Sequence, residues 1–183
     1  MNPTSGWHDR DRWYALAIAA FAFLVRIALD LHGRPAIGDF DEGVYFGTAN
    51  ALARGIVPYR DFVSVHPPFS SVLFTATTGP FTAIGGPQVG FLATRVLAAL
   101  AGAITVWLLY RFALRLADRR AAIIAALAYA TFAAAVFAES RVLLDPFMVV
   151  FAVAAATVFL ERRSRLSGAI AGVLFGLSVS TKL

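Results

Sequence analysis

The chain has no cysteine and a single lysine. Without thiols it can form no disulfide, present no nucleophilic cysteine and hold no thiolate-bound metal. Charge is scarce as well: 15% of the 183 residues are Asp, Glu, Lys or Arg, against about 25% in a soluble domain. No G-x-G-x-x-G stands before a helix, so a dinucleotide fold is not indicated. What remains is apolar. Hydrophobic residues make up 59% of the chain and the mean hydropathy is +0.71, the composition of an all-α integral membrane protein. The net charge of +5 does not point to nucleic acid, because the basic residues sit at the ends of apolar runs, as the positive-inside rule expects. Arginine supplies every cation but one and alanine is abundant, the bias of a GC-rich bacterial genome.

Apolar length gives the organisation. Residues 1–12 are polar, and 13–31 then form a run long enough to cross roughly 30 Å of hydrocarbon. This run is too long for a signal peptide and no cleavage site follows it. Arg26 and Asp30 lie four apart inside it and are expected to pair with each other. Pro68 to Gly86 is long enough for a second span, but Gly79-Pro80 interrupts it and Thr75, Thr77 and Thr78 dilute it. Charge parity argues the same way. If this segment crossed the membrane, the cluster Arg111/Arg115/Arg119/Arg120 would face outward. If it stays at the surface, that cluster joins Arg10/Arg12 and Arg162/Arg163/Arg165 on the inside. It is therefore read as one or two short helices at the outer surface. Further spans are expected at 91–112, 121–138, 145–160 and from Leu166 onward. That makes about five transmembrane helices, with the N-terminus cytoplasmic and a long first loop, 32–90, outside. The chain reads as one module, 1–183, cut off within its fifth span at Ser180-Thr181-Lys182-Leu183.

The longest stretch that cannot enter a membrane, 38–69, organises the rest. It carries Asp39, Asp41, Glu42 and Asp61, and the topology adds Glu139 and Asp145 at the same face. Three cations reach that level: Arg95, Arg141 and Lys182. Gly43, Gly47, Asn50 and Arg54 share one face of an amphipathic surface helix, which Gly55 would end. Asp39 and Glu42 have the spacing of a capping box. Asp41, at the second helical position, would be kept ionised by the helix dipole and would suit a general base. His66-Pro67-Pro68 stiffens the return to the membrane, and His66 is read first as a hydrogen-bonding residue. Asp41, Glu42, Asp61 and Asp145 could also offer oxygen ligands to Mg2+ or Mn2+, although no spacing signature marks a metal site and no organic cofactor is implied.

A first span, then Asp41-Glu42 opening a helix with Tyr45 behind it, then His66-Pro67-Pro68, resembles the polyprenyl-phosphate-dependent glycosyltransferases of the C fold, such as the protein O-mannosyltransferases and aminoarabinose transferases. The Arg95 stretch ATRVLAAL, the basic turn RLADRR and ESRVLLDPF are similar to the same pattern. The resemblance implies inverting transfer of a sugar from a polyprenyl monophosphate to a hydroxyl of a protein, glycan or lipid acceptor, outside the cytoplasmic membrane. It implies that Asp41, with Glu42 beside it, activates the acceptor, and that Arg95, Arg141 and Lys182 hold the lipid phosphate. Tyr45, Asp61, His66 and Asp145 would line the substrate site. A non-catalytic lipid- or partner-binding subunit is the alternative, and a transporter a weaker one, since no internal repeat is present.

Overall fold

The structure, a computed structural model, describes residues 9–32, 39–161 and 164–182. The polar start 1–8, loop residues 33–38, Arg162, Arg163 and Leu183 lie outside the described residues. Among the described residues the regular structure is entirely helical: α1 (Asp9–His32), α2 (Phe40–Ala53), α3 (Pro68–Gly85), α4 (Pro87–Leu116), α5 (Arg119–Thr131), α6 (Ala133–Glu139), α7 (Asp145–Glu161) and α8 (Arg165–Thr181). The 30-residue α4 is the axis, and α1, α3, α5, α6 and α7 all pack on it.

Small residues let the helices approach. Ala15, Ala19 and Ala22 of α1 and Ala122, Ala126 and Ala130 of α5 are buried together with Val106 and Tyr110 of α4. Such stripes bring backbones close where lipid offers no hydrophobic drive for helix association. At the other end the packing is aromatic. Tyr45 and Phe46 of α2, Phe74 of α3, Phe91 of α4 and Phe147 of α7 form a second core, with edge-on rings at Phe46–Phe91 and Phe74–Phe147. This core carries the organising loop.

Among the described residues two helices are long and apolar enough to cross a membrane, α1 over Asp9–Asp30 and α4; a third span results if α5 and α6 are counted as one. Of the about five spans expected, two to three meet this test among the described residues. The expected span 121–138 is broken at Phe132 and bent by 60°. Helices α7 and α8 have 17 residues each, about 25 Å, short of the roughly 30 Å core. The stretch read as a long outer loop is mostly helix. Its second part, expected as one or two short helices, is a single helix, α3, running antiparallel to α4. Pro80 does not break α3. The preceding residue is Gly79, which lacks the Cβ that a following proline crowds and leaves room for Ala53 of α2, 3.3 Å from where that Cβ would stand. The close α3–α4 approach is made at Gly90, where a side chain would meet Thr82 Oγ1 and the Thr78 carbonyl. Thr77 and Thr78 exchange hydrogen bonds with Thr94 there, at 3.0 and 3.2 Å.

Charges inside the bundle pair between helices. Arg26 and Asp30 do not pair with each other, as their spacing suggests. Arg26 turns toward the α5–α6 break. Its Nε donates to Glu139 Oε2 at 2.6 Å, and Nη1 reaches the Ala130 carbonyl, one of the helix-end acceptors that the break leaves without an intrahelical donor. Tyr129 donates to the other Glu139 oxygen at 2.7 Å. Glu139 is thus not one of the outer acids; it is buried in the bundle, because an unpaired Arg26 there would be far costlier than a bent helix. The niche for this pair is Gly102 of α4, where a Cβ would overlap Glu139 and stand 2.6 Å from Arg26 Nε.

Gly102→Val should therefore break the Arg26–Glu139 pair and lower stability by about 3–5 kcal/mol. Gly172→Ala, where a Cβ meets nothing within 4 Å, should be nearly neutral. Thermal unfolding of both variants in detergent checks this; equal midpoints would show that Gly102 is not needed for the pair.

Candidate active site

The site is built where the aromatic core meets the end of the bundle opposite the N-terminus. Asp39 caps α2 with an extended backbone, its side chain accepting from the Asp41 N–H at 3.0 Å. This is an N-cap on the second helical N–H and not the bond to the Glu42 N–H that a capping box uses. Glu42, expected to complete it, turns inward and is completely buried. Arg95 donates to both of its oxygens, Nε at 3.0 Å and Nη2 at 2.8 Å, and the Val142 N–H donates to Oε1 at 2.8 Å. The remaining arm of Arg95 reaches Asp30 at 2.6 Å, and its guanidinium lies 4.5 Å over the Phe91 ring. One buried cation thus joins α1, α2 and α4, and Glu42 extends the connection to the turn before α7.

The adjacent residues differ in character. Asp41 is exposed at the start of α2. One turn on, Tyr45 is buried, its hydroxyl 3.2 Å from His66 Nε2 and its ring edge-on to the imidazole. Burial, reinforced by the negative charges of Asp41, Asp145 and Asp39, pushes the Tyr45 hydroxyl up to about 12, so it stays neutral. Asp41 lies one turn before Tyr45 on α2, and Asp145 acts on the same hydroxyl through its charge. Asp145 opens α7 and accepts from Lys182 Nζ at 2.8 Å. Arg141, in the turn that Glu42 holds through Val142, stacks over Phe137 at 3.9 Å and has no carboxylate partner among the described residues.

Asp41, Tyr45, His66, Asp145 and Lys182 are therefore brought together, with Arg141 on the adjoining turn and the Glu42–Arg95 pair beneath. Asp61 stands apart. Its carboxylate accepts from Arg60 and from the Val57 N–H at 2.7 Å, and the Arg60 hydrogen bond first, then Val57, holds it down to about 2. Tyr59, in the left-handed region at φ +67°, donates to the His66 carbonyl and ties this turn to the site's edge. The four acids expected to be able to share a divalent cation do not converge. Glu42 is engaged by Arg95, Asp61 by Arg60 and Asp145 by Lys182, and no group of three Asp, Glu or His residues forms a cage among the described residues. Arg95, expected near the lipid phosphate, has its charge met by two carboxylates in the interior. The Asp30–Arg95 pair was missed because sequence spacing favoured Arg26 as the partner of Asp30. The available signal was that Arg26, Asp30, Arg95 and Glu139 all fall at or inside apolar runs, where each charge needs a partner.

The arrangement offers an exposed carboxylate at a helix start, a Lys182–Asp145 pair, Arg141 on the adjoining turn and a hydrogen-bonded Tyr45–His66 pair, above a buried ionic joint. The family model for dolichyl-phosphate-mannose-protein mannosyltransferases matches residues 65–183, about two thirds of the chain. The match takes in His66, Arg95, Arg141, Asp145 and Lys182; Asp41, Glu42, Tyr45 and Asp61 precede it. No curated protein and no solved structure matches the chain. The match covers more than half of the chain, and the chain belongs to the dolichyl-phosphate-mannose-protein mannosyltransferase family, whose membership implies a membrane glycosyltransferase that draws on a polyprenyl-phosphate sugar.

Proposed function

We propose that this protein moves a sugar from a polyprenyl monophosphate to an acceptor hydroxyl at the outer face of the cytoplasmic membrane, with inversion, and that Asp41 is the base. The observation that carries this reading is the contrast between neighbours: the Asp41 carboxylate is open to solvent, while that of Glu42 is fully buried and bonded. A base has to reach the proton it takes, and Glu42 cannot do so without leaving Arg95 inside the bundle with one carboxylate fewer.

In the reaction, the acceptor O–H gives its proton to Asp41 as its oxygen attacks the anomeric carbon. The bond from that carbon to the phosphate oxygen breaks, and polyprenyl phosphate leaves with the bonding pair. Charge grows on the phosphate in the transition state, so cations aimed at it accelerate the step. Lys182 and Arg141 are the cations at this level. Lys182 is already bonded to Asp145 and partly exposed, so its ammonium is positioned before the lipid arrives. Arg95 serves the site from below as a structural cation. Charge supports this orientation: Arg12, Arg111, Arg115, Arg119 and Arg120 lie toward the end of α1 and α4 opposite Asp41, the distribution that the positive-inside rule expects of a cytoplasmic end. Residues 1–183 are read as one transmembrane module of such an enzyme.

Transfer of labelled sugar from polyprenyl-phosphate donors, in membranes carrying the full-length polypeptide, tests the assignment. Asp41→Asn should lower kcat by about 10²-fold or more with the unfolding midpoint unchanged. Glu42→Ala should do the reverse in kind, destabilising the fold by about 3–5 kcal/mol because a buried ion pair loses one partner. An Asp41→Asn enzyme with full activity would remove Asp41 as the base. Lys182→Ala should raise the donor KM by roughly tenfold or more, the strength of a charge-assisted hydrogen bond, and leave the acceptor KM in place. Donor titrations with the two proteins side by side decide this.

A further inference from the structure

Far from Asp41, the antiparallel pair α1–α4 carries a groove that the reaction does not use. Its apolar part, about 400 Å³, is walled by Leu16 and Phe23 of α1 and by Leu100 and Trp107 of α4, with small alanines as its floor. Leu16 and Trp107 continue into a second cavity of about 350 Å³, closed by Arg12 and Arg111. The two cavities form one channel, apolar toward the membrane centre and cationic at its mouth. From Arg12 to Phe23, and from Arg111 to Leu100, the walls run 11 residues, about 17 Å, or about one leaflet of a roughly 30 Å core.

The mouth is positive after its local acids are counted. Glu161 pairs with Arg111, whose guanidinium lies 4.5 Å over the Trp107 ring. Asp9 approaches Arg12 only at 4.0 Å, with both side chains largely open to water. Arg115, one turn beyond Arg111 on α4, is exposed and has no carboxylate partner among the described residues. An acyl chain fits the apolar part, and a headgroup phosphate fits between Arg12 and Arg111. Basic pockets between membrane helices on the arginine-rich side have this chemistry for anionic lipids.

We infer that the α1–α4 groove is a binding site for an anionic phospholipid of the cytoplasmic leaflet. The sugar donor is not the occupant, because its phosphate would then lie at the Arg12 end of α1, some 18 residues or about 27 Å from the Asp30 end that packs against the α2 site. The lipid instead braces α1, which gives one member to each of three levels of charge pairing: Asp11 with Tyr110 of α4 and Arg119 of α5, Arg26 with Glu139 of α6, and Asp30 with Arg95 of α4.

Native mass spectrometry of the full-length polypeptide in detergent tests this, with phosphatidylglycerol as probe, phosphatidylcholine as control and undecaprenyl phosphate as competitor. Phosphatidylglycerol should bind in preference to phosphatidylcholine. Arg12→Gln should weaken its binding about fivefold, the share of one arginine at a membrane surface. Ala20→Phe, which fills the groove from a position already facing lipid, should weaken it at least as much. Asp41→Asn should not change it. Equal binding of the two phospholipids, or unchanged binding in both groove variants, overturns the site. Displacement by undecaprenyl phosphate at lower concentration than phosphatidylglycerol would assign the groove to the polyprenyl lipid and overturn it as well.

Discussion

A guanidinium inside an apolar bundle has to be neutralised, and the way Arg95 is neutralised fixes the arrangement of everything around the candidate site. It takes Asp30 from α1 and Glu42 from α2, two segments that sequence separates by a polar connection. Breaking a buried pair by removing one partner costs about 3–5 kcal/mol, so α2 has little freedom to leave the top of α1 and α4. Glu42 then spends an oxygen on the Val142 N–H. The start of α2 and the turn before α7 are thereby held by the same carboxylate, and the residues presented outward, Asp41 and Arg141, are the immediate neighbours of the two bonded positions.

The same principle recurs deeper in the bundle. Arg26 and Glu139 pair across a helix break, with Gly102 giving them room. The bend at Phe132 lets a short helix deliver Glu139 inward while the chain still returns outward to Arg141. Glycine and alanine stripes supply the close approach, and arginines supply its registration. Apolar packing alone would leave these helices free to slide, since lipid competes equally for their surfaces. Charge pairs of fixed geometry do not allow that.

Much of this was legible before the structure. The apolar runs located α1, α4, α7 and α8 to within a few residues, and the amphipathic pattern located α2 with its Asp39 cap and its Gly55 stop. The order of Asp41-Glu42, His66-Pro67-Pro68 and ESRVLLDPF pointed to the family. Partner choice was not legible. Arg26 and Asp30 are four apart, yet each binds a residue 65 or more positions away, because helix rotation in the bundle, set by alanine packing, decides which face each charge presents. Pro80 misled for a similar reason: proline removes one helix bond, and the Gly79 that precedes it together with the α2 contact tolerates the loss. The roles of Asp41 and Glu42 could not be separated from composition, since both are acids at a helix start and only burial tells them apart.

The length of α4 gives this architecture a sensitivity of its own. At 30 residues it is about 45 Å long, half as long again as a typical hydrocarbon core, so it has to tilt or expose its ends to fit a given bilayer. Arg95 rides near its N-terminal end and is tied to Glu42 and Asp30, so a change in tilt carries the start of α2 along with it. Because Glu42 also holds Val142, the Arg141 turn follows in the same direction. Membrane thickness would then move Asp41 and Arg141 as one body, without altering the distance between them.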